Sequence, residues 1–507
     1  MANNNAHENR IVKIIFSVFG IIIFSKLLGF VKQMIVANAF GATIDTDIVM
    51  LSHSLISNID LVFYQVFMTA LIPLYIGIGE EKKREQSMFF SNTLVIWIGI
   101  SLIISVGIIA LSGVLTRIIV PNYSGELAGQ LAKYIRLFAP ALVIAGMGAL
   151  LSALLRANKR FIPGEMGSVF YSCFTIILTF SFKSFLGVNV LIIAYYAYII
   201  TNLIYLLLVG RKYWSFIKSG SYFDDNVKKF IKMSFPLLFG YGMVFINQSV
   251  DAIVSANLGE GTVSSLGYAT VLFNVITALT GSMCAVIYTY ISKAVADNDS
   301  VEAGKIVEKS VIAFSTLLIP LGLLLVFNSV DIVNVVFKRG AFSDAAVSTT
   351  SSALVGYGVA AIFLVTKDLF GRLQYCYLDS WRPMRNSSIG IVLNIFLDIV
   401  LAKRYGILGI TLATSASIII SALLNIISSR RYNKSVNGKA FIRIAWKWII
   451  GAVLCALTSY AGQRIFSNSS SFLRLFLIAI ISLLLFYAVS FSEVRTSVRL
   501  FMKSKEE

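Results

Sequence analysis

The run Ser25-Lys26-Leu27-Leu28-Gly29-Phe30-Val31-Lys32, continuing to Phe40-Gly41-Ala42, places two ammonium groups in a stretch otherwise apolar enough to cross a membrane. A Lys at the centre of a spanning helix costs about 2.5–3.5 kcal/mol on insertion scales, so it usually faces a wet cavity or a partner. Two readings are open. The long stems can snorkel until the charges reach the membrane surfaces, more readily for Lys32, which lies nearer the segment's end, than for Lys26. Alternatively, the pair forms a cationic cavity wall that receives an anionic substrate.

The whole chain supports a membrane setting. Of 507 residues 57% are hydrophobic and 13% charged, and the mean hydropathy is +0.82, outside the range of soluble domains. Apolar runs of about 20 residues recur from end to end. Fourteen spans are expected, near 11–36, 45–76, 87–113, 129–155, 164–182, 187–210, 229–257, 263–291, 308–335, 346–374, 385–402, 407–429, 441–463 and 471–492. No soluble domain of useful size fits between any two of them. The fold class is therefore an all-α polytopic membrane protein: a first six-helix lobe over 1–215, a second over 216–435, and a C-terminal helix pair with a basic tail over 436–507.

A net charge of +18 could suggest nucleic acid, but the basic residues sit in short gaps between apolar runs, which reads as topology. Glu80 to Arg84, Arg156 to Arg160, Arg211 to Lys229, Lys293 to Lys309, Arg372 to Arg385, Arg430 to Lys447 and the tail after Arg495 hold, with the N-terminus, most of the 43 Lys and Arg. Both termini are therefore expected in the cytoplasm, with an even number of spans. The polar start and long first apolar run argue against a cleaved signal.

Cys173, Cys284, Cys376 and Cys455 lack any C-x-x-C spacing, and His7 and His53 are too few for a histidine metal cluster. No G-x-x-x-x-G-K-S/T loop is present, which excludes the usual ATP-driven pump, and no nucleophile arrangement is visible. The expectation is a carrier, not an enzyme.

The two sets of six spans are organised alike. Each opens with a pair rich in polar and acidic residues, Lys26 to Asp60 and Asp251 to Asn274, joined by a short loop containing Gly41 or Gly259 and Gly261. Such halves suit an alternating-access carrier.

Ser25-Lys26-Leu27-Leu28-Gly29-Phe30-Val31-Lys32 through Phe40-Gly41-Ala42 to Asp47 closely resembles the start of the MurJ/MviN family of lipid II flippases in the MOP exporter superfamily. Asn247-Gln248-Ser249-Val250-Asp251, Gly261-Thr262-Val263 to Gly267-Tyr268-Ala269, Phe337-Lys338-Arg339-Gly340-Ala341-Phe342, Asp379-Ser380-Trp381-Arg382-Pro383 and Gly406-Ile407-Leu408-Gly409 to Ser415 extend the likeness over most of 10–430.

The resemblance implies two lobes around a cationic central cavity and a lipid-tail groove on the last two helices. The implied substrate is an undecaprenyl-pyrophosphate-linked cell-wall precursor, moved across the bacterial cytoplasmic membrane. Lys26 and Lys32 would be the cavity cations, with Gly29, Asp47 and Asp60 as cavity or gating residues. Six residues put the two lysines about 240° apart on an ideal helix, so a bend at Gly29 is expected. The resemblance also implies a sodium site from Asp251, Asn394, Asp398, the Ile410 carbonyl and Thr414. Asn394 and Asp398 share a helix face, and hard oxygen ligands suit a hard cation; the rival is a hydrogen-bonded knot that joins helices. Proton coupling through Asp251 or Asp398 is a further alternative.

This chain also departs from the family. Lysine stands where the family usually has arginine at 26 and 32, Asp60 lies near a third family arginine, and Val271 replaces a fourth. Lysine binds phosphate as a point charge without arginine's planar fork. Lipid II is the leading substrate; another polyprenyl-linked glycan (capsule, O-antigen-like or teichoic) is the alternative, and a multidrug antiporter is disfavoured by the lysines and the last helix pair. Asp45, His53 and the Lys367-Asp368 doublet are secondary candidates: a gate, a cavity or interhelical face, and an internal ion pair. Membrane lipid, and in cells the wall-synthesis machinery, are the expected partners of a monomer.

Overall fold

A computed structural model of the chain describes residues 2–218, 221–432 and 438–491; the basic tail after Arg495 lies outside them. Every regular element among the described residues is helical: α1 Ala2–Phe40, α2 Ile44–Val66, α3 Ile72–Gly77, α4 Lys83–Ile119, α5 Gly125–Phe138, α6 Ala141–Ala157, α7 Ile162–Leu186, α8 Val190–Gly210, α9 Asp225–Ala256, α10 Thr262–Ala296, α11 Ser300–Phe327, α12 Ser329–Val336, α13 Asp344–Cys376, α14 Trp381–Tyr405, α15 Ile407–Ser429, α16 Gly438–Ile465 and α17 Ser471–Val489.

Among the described residues, thirteen helical stretches have the length and apolarity to cross a bilayer. One, Ile162–Gly210, has 49 residues, about 74 Å of helix at 1.5 Å per residue against a hydrocarbon core of about 30 Å. It is two passes, α7 and α8, which turn at Gly187, where φ is +55°. Only glycine takes that left-handed conformation without strain. Fourteen helices of spanning length result, as the hydropathy predicts. The expected ninth pass over 308–335 is corrected at its end: α11 stops at Phe327 and α12 follows separately. Asn328 makes the break, at φ −123° and ψ 22°, with its side chain turned to Ser459 Oγ at 2.9 Å.

The chain forms two compact units, 1–260 and 261–507. The border falls one helix later than the 215/216 division read from the sequence, because α9 packs along α2. Asn58 Nδ2 donates to Ser249 Oγ at 2.9 Å, and the Thr69 and Tyr241 hydroxyls meet at 2.9 Å. At its end, Asn257 Nδ2 donates to the Ile119 carbonyl at 2.9 Å, and Glu260 Oε1 accepts from the Ile44 amide at 3.2 Å. Polar bonds between spanning helices are effective glue because lipid offers no competing partner.

In the first unit, Phe67, Phe89, Phe90, Trp97, Leu150 and Leu154 build the core. Between α2 and α3 the backbone widens into a π turn over Phe67–Leu71. Pro73 explains it: with no N–H to give to the Thr69 carbonyl, it disrupts the α ladder one turn upstream. In the second unit, α11 and α13 approach so closely that a Cβ on Gly358 would lie 2.7 Å from the Gly322 carbonyl oxygen. Small residues are what permit such contact between spanning helices. Ser415 Oγ on α15 donates to the Gly356 carbonyl at 2.6 Å. The last two helices dock through Trp448 Nε1 to Thr316 Oγ1 at 3.0 Å and through the ion pair of Arg474 with the buried Asp331.

Candidate functional site

α1 is helical without interruption through Gly29. Gly29 faces α7, where its Cβ position would lie 3.9 Å from Ser172 Oγ. The two lysines keep their separation around the helix. Lys26 is exposed. Lys32 is half-buried, with its Nζ 4.0 Å from the centroid of the Tyr171 ring, a geometry in which the ring's negative face holds the cation. Lys32 has no carboxylate within ion-pair distance among the described residues. One ammonium is thus held against an aromatic face of the first unit, and the other is exposed.

Beside Lys32 stands an aromatic cluster around His53 that the sequence reading missed. His53 on α2 meets Tyr195 on α8 at 4.8 Å between ring centroids, Phe138 on α5 at 5.5 Å and Tyr171 on α7 at 5.9 Å. Tyr171 also meets Tyr198 at 5.2 Å. The signal was present in Tyr195-Tyr196-Ala197-Tyr198, three phenols in four residues of an apolar run. His53, Asp60 and Tyr64 follow at seven and four residues, hence on one face of α2. Asp60 lies within electrostatic reach of Tyr64, Tyr195 and Tyr198. Arg156 Nη2 donates to Tyr64 Oη at 3.2 Å and pairs with Glu165. His53 thus packs against α5, α7 and α8.

Asp47 is fully buried in the first turn of α2, beside Thr43, whose Oγ1 accepts from the Thr46 amide at 3.4 Å. Burial, and then the nearby Asp47 charge, pushes the Tyr123 phenol in the α4–α5 loop up to about 12. Asp45 instead lines a cavity of about 520 Å³ with Thr43, Gln130, Lys133, Tyr134 and Asn189.

In the second unit, Asn394 and Asp398 are buried on α14, with Asn394 Nδ2 donating to Asp398 Oδ1 at 3.1 Å. That bond leaves the amide oxygen as the atom Asn394 can offer to a cation. Thr414 Oγ1 donates to the Ile410 carbonyl at 3.3 Å on α15, which packs along α14. The oxygen-only donor chemistry fits a hard monovalent ion. Asp251, the fifth member, is half-buried on α9 and belongs to the first unit. Lys367 and Asp368 are each half-buried on α13.

Fourteen spanning helices with polar and charged side chains inside each unit define a polytopic membrane carrier. The family model described as lipid II flippase MurJ matches residues 36–487, and the chain belongs to that family, whose members are transporters and not enzymes. A probable lipid II flippase MurJ of Vibrio cholerae is 24% identical over 441 residues, covering 82% of each chain. One of Rickettsia prowazekii is 23% identical over 408 residues, covering 77% of this chain and 78% of that protein. The solved structure of a lipid II flippase MurJ in an inward closed conformation shares the fold with a TM-score of 0.80 at 22% identity, over 94% of this chain and 99% of that one. An inward-facing multidrug resistance MATE transporter of the MOP superfamily shares it at 0.66 and 14% identity, over 81% and 95%.

Proposed function

We propose that this flippase carries an undecaprenyl-pyrophosphate-linked cell-wall precursor, lipid II in the first instance, from the inner to the outer leaflet of a bacterial cytoplasmic membrane by alternating access. One observation carries the reading: Lys32 is an ammonium held inside a membrane unit by an aromatic face with no carboxylate paired to it. An uncompensated charge in such surroundings is costly unless an opposite charge reaches it, and a pyrophosphate supplies one, because charge-assisted bonds to phosphate are among the strongest available. The apolar tail can stay in lipid while the head group passes. Both termini are cytoplasmic on the basic-gap topology, and the protein acts as a monomer beside the wall-synthesis machinery.

The departures at Lys26, Lys32, Asp60 and Val271 favour a second reading, a different glycan on the same carrier lipid. Complementation of a strain depleted of its lipid II flippase separates the two, since growth requires lipid II itself to cross.

Within the second unit, Asn394, Asp398, the Ile410 carbonyl and Thr414 are the groups that would hold sodium. A bound ion would neutralise the buried Asp398 carboxylate. Asn394 donates its amide N–H to that carboxylate.

A further inference from the structure

We propose that Asp60 and His53 form a proton-binding site inside the first unit, separate from the sodium donor set on α14 and α15. A single face of α2 carries both residues. His53 is enclosed by Phe138, Tyr171 and Tyr195, and its Nε2 is a buried atom that no protein group hydrogen-bonds. Asp60 Oδ1 is a second such atom. Two ionisable side chains, each with an orphaned polar atom, thus lie two helical turns apart on one face, among tyrosine hydroxyls. Buried polar atoms are nearly always bonded, so orphans on two titratable groups need a reason. At membrane depth an ionised carboxylate is costly unless paired or neutralised, and Asp, Glu and His side chains are what proton relays in membrane carriers are built from.

The charged and titratable groups around this face are few. From α1, Lys32 stands over Tyr171 and acts electrostatically on His53. From α6 and α7, Arg156 and Glu165 pair with each other and reach the face only through Tyr64. From α8 come Tyr195 and Tyr198, within reach of Asp60. α5 gives Phe138 against His53. α9 meets α2 at Asn58, through Ser249, two residues before Asp251 and about 160° around α2 from Asp60. Arg156 is engaged by Glu165, so Asp60 has no cation of its own among the described residues, and a proton is the charge that fits. Asp60 would exchange it, with His53 as the second acceptor toward Lys32. The site does not depend on what the carrier transports.

The test is an infrared pH titration of the whole protein in lipid, following the carbonyl stretch of protonated carboxylic acids. The expected result is a band that appears and disappears with pH, is lost in Asp60→Asn, persists in Asp251→Asn and Asp398→Asn, and shifts its midpoint in His53→Gln. Asp60→Glu, which keeps a carboxyl, should restore a titrating band and controls for loss of fold. A spectrum unchanged by Asp60→Asn would overturn the proposal, as would a band that responds to sodium at fixed pH but not to pH. The readout needs no substrate, so failure of the flippase reading would leave it intact.

Discussion

At the scale of single residues, the two lysines that looked equivalent in sequence are not. Lys32 rests on Tyr171 and Lys26 is exposed, so a phosphate contact worth about 1.5–3 kcal/mol is expected at Lys32. Replacing it by Ala should lower flipping in vesicles by about 10- to 100-fold, Lys32→Arg should retain most of it, and Lys26→Ala should cost less. Equal loss in both alanine variants would return the cavity to a two-cation wall. A second residue-level device closes the α13–α14 loop, where Asp379 accepts from Tyr432 Oη and pairs with Arg382, and Tyr377 stacks on Tyr432 at 4.9 Å. The Tyr432 hydrogen bond, above all, holds the Asp379 carboxyl down at about 2 from its ordinary 3.8. Because the folded value lies below the unfolded one, the tie is complete above about pH 4 and lost as pH falls toward 2. The thermal midpoint of Asp379→Asn should therefore lie below the parent's at pH 6 and converge with it near pH 2. The sequence showed Asp379 and Arg382 within one motif, but not Tyr432, which is 53 residues away.

At the scale of elements, the pass count was legible because each apolar run is bounded by charges or glycine, and Gly187 marks the α7–α8 turn where hydropathy alone runs on. The α11–α12 break was not, since Asn328 is a single polar residue whose effect depends on Ser459 in a distant helix. Nor was the attachment of α9 to the first unit, which rests on Asn58–Ser249 and Thr69–Tyr241, pairs too far apart in sequence to be read. The π turn had a signal in Pro73 that went unused. The close crossing of α11 and α13 gives a direct check. Gly358→Val would drive its side chain into the Gly322 carbonyl, an overpacking cost of about 1–3 kcal/mol or more. Folded yield after membrane extraction should fall sharply, while Gly240→Ala, which meets nothing within 4 Å, should leave it unchanged.

At the scale of the whole molecule, family membership and fold were legible because the motifs of the first helix pair and of 247–269 are local strings. The aromatic cluster was not, because Tyr171, Tyr195 and Tyr198 look like ordinary apolar filler until three helices meet at His53. Coupling belongs to this scale as well. If Asp398 and Asn394 hold sodium, Asp398→Ala should abolish any sodium stimulation of transport, and stimulation that survives would remove the site. The central claim, that this chain moves a polyprenyl-linked wall precursor with lipid II first, is tested most directly by expressing it in cells depleted of their own lipid II flippase. Growth should be restored with the wild-type chain, and lysis should follow with a Lys32→Ala variant present at equal level in the membrane. Lysis with a well-expressed wild-type chain would contradict lipid II as the substrate.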